Sequence, residues 1–162
     1  MDAIRQGTAT ALWQELIREG EQRQHLTLGE ELESYLVFAL MRHLQDAPLA
    51  GRIMALEWLS AQEKPTTPDR LRDVGDRCLL IAGLFPRLAQ RRRVSTAYYV
   101  DLGRGAYATA GQRAPRCERS LFDHLAEAFH SLVAVLTAIR PEAVLQPLPV
   151  AVQADVLRRG LH

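Results

Sequence analysis

Cysteines, lysines, aromatics and long apolar runs are all scarce in this chain, and most of these shortages exclude something. Only Cys78 and Cys117 occur in 162 residues, and neither belongs to a C-x-x-C pair. Two isolated cysteines fit reduced structural thiols better than a disulfide framework. No apolar run approaches the roughly 20 residues of a membrane-spanning helix. The opening MDAIRQGTATALWQ lacks the basic start, apolar core and cleavage site of a signal peptide. These features predict a cytoplasmic protein with no membrane association. Net charge is only +1, whereas general polyanion binders carry a marked basic excess. Alternating apolar runs are missing, so a sheet has no candidate strands. A single lysine, Lys64, stands against nineteen arginines, which suggests a GC-rich bacterial genome and says nothing of function.

Signatures of catalysis are missing as well. The chain has no G-x-S-x-G elbow, H-E-x-x-H pair, phosphate loop or kinase motif. No cofactor is implied and no catalytic residue is assigned, which leans against an enzyme without deciding the point.

The pattern that is present is helical. A chain of this size buries roughly 70% of its extended surface and needs no staples. The expected fold is all-α, a single-domain irregular bundle of six to eight helices. The bundle should cover residues 1–140, with 141–162 a proline-punctuated arm packing on the bundle or on a second subunit. A first helix is expected from Asp2 to Glu19, with Leu12, Trp13, Leu16 and Ile17 inward and Gly20 as its stop. Thr27 should cap a second helix, with Glu30 in the capping-box position. The segment LAGRIMALEWLSAQE, residues 49–63, reads as a third. Thr67 and Pro68 stand at the cap and first position of a fourth, running to about Phe85. Uniform apolarity after Cys78 marks that helix as central. After Pro86 a short helix is expected. Ser95 should cap another, through Tyr107 and on to Gln112. Pro115 then opens the longest, with Phe122, Leu125, Phe129, Leu132, Val133 and Leu136 as one stripe.

Special residues concentrate between Asp76 and Tyr107. Gly103, Ala106 and Ala110 share one helical face, where small residues let another helix approach closely. Tyr99 and Tyr107 lie on or near it, and their hydroxyls need partners. Asp76 or Arg104 could supply one. Two readings compete: a close crossing locked by tyrosine hydrogen bonds, and a small-ligand pocket opened by glycines, lined by Tyr98 or Tyr99 and entered by Arg104. Arg91, Arg92 and Arg93 precede the Ser95 cap, where free amides attract anions. Charge is also polarised along the chain. Residues 1–46 hold eight acids and four arginines, and residues 87–119 hold eight arginines and two acids. Besides an ordinary solvated pattern, this suggests head-to-tail association or an anionic partner.

The string Gly83-Leu84-Phe85-Pro86, Arg91-Arg92, Val94, Tyr98-Tyr99, Gly103 and Ala106-Tyr107 resembles a group of uncharacterised helical proteins from proteobacteria. The likeness covers about 30 residues. It implies a bacterial helical protein and transfers no activity and no catalytic residue.

Two further constellations were weighed. His124, Glu127 and His130 contain the ExxH spacing of di-iron bundles, but no second ExxH exists and Leu125 and Phe129 claim the buried face. A satisfied surface pair is the leading reading there, and no metal is assigned. The arginines with Tyr98 and Tyr99 could stack on single-stranded nucleic acid, yet this helix looks packed, so nucleic acid is not the expected partner. The leading expectation is a non-catalytic adaptor or regulatory module. It would be a homodimer making its contacts through Arg91, Arg92, Arg93, Tyr98, Tyr99, Arg104 and Tyr107. A small-anion or small-ligand binder at the same hairpin is the alternative.

Overall fold

The computed structural model describes residues 2–44, 67–91 and 93–139. They form α1 (Asp2–Gln24), α2 (Glu30–Leu44), α3 (Pro68–Leu84), the short α4 (Pro86–Arg91), α5 (Thr96–Arg113), α6 (Arg116–Glu127) and α7 (Phe129–Ala138). The class is all-α, with no strand among the described residues. In them no helix is long and apolar enough to cross a membrane. The helix expected over 49–63, Arg92 and the arm from 141 onward lie outside the described residues.

Local chemistry sets several boundaries as expected. Thr67 Oγ1 accepts from Arg70 N at 3.3 Å, and Pro68, whose missing N–H would be unpaired there anyway, takes the first helical position. At the other end Phe85 leaves the helix in an extended conformation before Pro86, as the clash with a proline ring requires. Ser95 Oγ accepts from Tyr98 N at 3.2 Å and starts α5. Helix α3 is buried continuously from Cys78 to Gly83 and packs against α2, α4, α5 and α7. Burial pushes the Cys78 thiol up to about 12, so it is an inert core residue. Around α3 the core gathers Trp13, Leu36, Leu40, Leu125, Phe129 and Leu132.

Three boundaries differ from the sequence reading. Helix α1 runs through Gly20 to Gln24, because Gly20 is a crossing point and not a stop. A Cβ there would stand 2.6 Å from the Val135 carbonyl oxygen of α7. The helix ends at His25, which takes a left-handed φ of 54°, while Leu26 N returns to Glu21 O at 2.9 Å.

The capping box at Thr27 does not form, since α2 begins at Glu30, after Gly29 at φ 91°. The connection is held instead by buried Glu21 of α1, whose carboxylate accepts from Leu28 N at 2.9 Å. The third difference is the expected long helix, which breaks at Ala128, where ψ is 7°. The break lets α6 lie along α5 while α7 turns to lie along α1 and α3.

Glu33 of α2 faces Glu21. Its carboxyl is held above the usual range by burial, then by its hydrogen bond to Glu21 and that group's charge. Glu30 adds to the rise and Arg18 opposes it. A carboxyl with a raised folded pKa binds protons better folded than unfolded. Stability therefore falls as pH climbs from the unfolded value through the raised one. Glu33→Gln should raise the denaturation midpoint at about pH 7 and change it little at about pH 4. Urea melts at both pH values check this, and equal shifts at both would contradict it.

Candidate functional site

The inner face of α5 is built for close contact. Tyr99, Gly103, Ala106, Tyr107 and Ala110 are all buried. A Cβ on Gly103 would lie 2.5 Å from Phe129 Cζ and 2.9 Å from Cys78 Cβ. The space beside Gly103 is thus solid. Gly75 of α3 plays the same part toward Tyr107, whose ring would sit 2.5 Å from a Cβ at position 75.

That fit delivers the Tyr107 hydroxyl to Asp76, donating to Oδ1 at 2.6 Å. The Tyr35 hydroxyl of α2 donates to the same oxygen at 2.5 Å. His43 Nε2 lies 3.2 Å from Oδ2, and Arg42 Nη1 is 3.8 Å from Oδ2 and from Asp73 Oδ1. Asp76 and Tyr107 are fully buried and His43 nearly so. Burial first, and the adjacent Asp76 carboxylate second, raise both tyrosine pKa values well above the ordinary phenol range. Both hydroxyls therefore stay protonated and act as fixed donors. The cluster ties α2, α3 and α5 together through one desolvated carboxylate, a satisfied polar network of the kind that specifies a unique packing.

His43, Asp73 and Asp76 also bring three potential metal-ligand atoms within 4.8 Å of one another. The Arg42 guanidinium already stands between the two acids, and Arg72 Nε lies 3.9 Å from Asp73. The two acids are thus matched by two arginines without an ion. Asp76 was legible in the sequence as a tyrosine partner. Tyr35 and His43 were not, having read as core packing and a helix end. Their signal is spacing: Tyr35, Ala39 and His43 recur every four residues on one face of α2.

The sequence-predicted contact residues divide between two faces. Tyr99 and Tyr107 point inward. Arg93, Tyr98 and Arg104 are exposed, with Tyr98 edge-on to Tyr99 at 5.6 Å between centroids. Arg93 sits at φ 57°. Arg104 Nε donates to the Ala126 carbonyl at 3.3 Å and so does not enter the helix crossing. Of Arg91 only the backbone, at the end of α4, is described. At the start of α5 one amide is already taken by Ser95. His124 Nδ1 meets Glu31 Oε1 of α2 at 3.1 Å on the surface. Glu127 and His130 are exposed on opposite sides of the α6–α7 break.

The outer face of α5 is different in kind. Tyr98 is 53% and Leu102 42% exposed, and Gly105 follows one turn on with nothing within 4 Å of its Cβ position. Of the helical glycines whose surroundings are described, Gly20, Gly75, Gly83, Gly103 and Gly111 all have another element within 3.1 Å of that position. Gly105 is the exception. No protein-family model matches the chain, and neither curated proteins nor solved structures give a match.

Proposed function

We propose that this protein is a non-catalytic adaptor or regulatory module that works by protein–protein contact through the outer face of α5. The observation that carries the reading is Gly105. Elsewhere in the bundle a helical glycine marks the place where another element comes close. An interior glycine costs a helix about 1 kcal/mol relative to alanine, and within the chain nothing near Gly105 offsets it. Flanking Tyr98 and Leu102 give the face the exposed aromatic and aliphatic groups that anchor interfaces. Arg93 and Arg104 border it with positive charge. The free thiols Cys78 and Cys117 and the resemblance to proteobacterial proteins support a bacterial cytoplasm as its setting.

A photo-crosslinking amino acid at position 102, introduced in the cells that make the protein, tests this. The expected result is a discrete covalent adduct at 102 and none at exposed Gln14 on α1. The adduct should vanish when Tyr98→Ala and Gly105→Glu are added. Equal labelling at 102 and 14, or no adduct at 102, would overturn the reading.

A further inference from the structure

The third large hydrophobic exposed among the described residues is Phe38, 64% accessible on α2. It belongs to a stripe of exposed residues, Glu30, Ser34 and Phe38, spaced four apart along one face of that helix. Glu30, Glu31 and Glu33 make the first turn of α2 acidic. The α5 stripe of Tyr98, Leu102 and Gly105 lies in a stretch where Asp101 is the one acid between Arg87 and Arg113. The two exposed stripes therefore match in apolar content and oppose in charge.

We infer that the partner of the α5 face is the α2 face of a second copy of this chain. The inference rests on the docking role of α5 proposed above and commits it to self-association. An antiparallel register satisfies both stripes. With Ser34 across Gly105, a small side chain meets the open glycine and the two backbones can come close. One turn on, Phe38 then lies over Leu102 toward Tyr98. One turn the other way, Glu30 reaches the end of α5, where Arg113 stands and Arg116 begins α6. Antiparallel placement also sets each helix dipole against its opposite. Under a two-fold axis the contact forms twice. Without one it propagates head to tail.

Sedimentation velocity on the purified full chain is the first test. Self-association should weaken about tenfold or more between about 50 mM and about 500 mM salt, because its rim is ionic. Phe38→Arg and Leu102→Arg should each yield monomer. Glu30→Arg should weaken association, and Glu30→Arg combined with Arg113→Glu should restore it. Position is read by disulfide trapping in a Cys117→Ser background: a Ser34→Cys chain mixed with a Gly105→Cys chain should form a crosslinked heterodimer. Ser34 and Gly105 are exposed, so neither variant disturbs the core. A wild-type monomer at all concentrations overturns the inference, as does association that both arginine variants leave intact. An adduct at position 102 to a different polypeptide would overturn it too, while leaving the docking role of α5 standing.

Discussion

Asp76→Ala is expected to cost about 4 kcal/mol of folding stability, a large part of the 5–15 kcal/mol that a domain typically has. The carboxylate accepts from two tyrosine hydroxyls and faces His43, all away from solvent. Alanine would leave buried donors without an acceptor and the Arg42 charge without one of its acids. Unmade hydrogen bonds in an apolar interior cost more than made ones contribute, so the loss should exceed any single bond. The hydroxyl deletions provide the scale. Tyr107→Phe, which removes one donor from a charged acceptor, should cost about 1.5–3 kcal/mol. Tyr35→Phe should cost less, since Tyr35 is only partly buried. Asp76→Asn keeps a carbonyl acceptor for the tyrosines and should fall between alanine and wild type. Urea denaturation of the four variants decides the matter. An Asp76→Ala penalty no larger than that of Tyr107→Phe would show that the carboxylate does not organise the cluster.

How far this was legible from sequence depends on whether the cause is local. The caps at Thr67 and Ser95 and the stop at Pro86 are set by residues within one turn, and they could be read directly. The Asp76–Tyr107 bond could also be anticipated, because a crossing at Gly103 brings the helix carrying Asp76 against the one carrying Tyr107. Gly20 could not be read correctly. A glycine that ends a helix and one that admits a neighbour look the same in sequence, and the neighbour here is Val135, more than a hundred residues later. The capping box failed for a similar reason: Glu21, from the previous helix, supplies the acceptor that Thr27 was expected to be. The break at Ala128 leaves the apolar stripe uninterrupted. Phe122, Leu125, Phe129, Leu132 and Leu136 are all buried as the pattern requires. Periodicity fixes which face goes inward, but not that two halves of that face meet different neighbours.

The same limit gives the two glycines of Gly103-Arg104-Gly105 opposite expected behaviour. Gly103→Ala places a methyl 2.5 Å from Phe129 Cζ, 2.7 Å from Phe129 Cε2 and 2.9 Å from Cys78 Cβ. The Phe129 ring has no exposed side to move toward, being fully buried and packed 5.8 Å from Tyr107 between centroids. Overpacking of this kind costs about 1–3 kcal/mol and outweighs the roughly 1 kcal/mol gained in helix propensity. At Gly105 the methyl meets nothing, so Gly105→Ala should stabilise the isolated chain by about 1 kcal/mol. Thermal and urea melts of the two variants should therefore move in opposite directions, although the residues are two apart in one helix. Gly105→Ala carries a second readout. If the open glycine exists to admit a partner, the more stable variant should associate less well, a trade of stability for contact. A Gly105→Ala chain that is more stable and associates as wild type would leave the glycine unexplained and remove the main support for the α5 face as a docking surface.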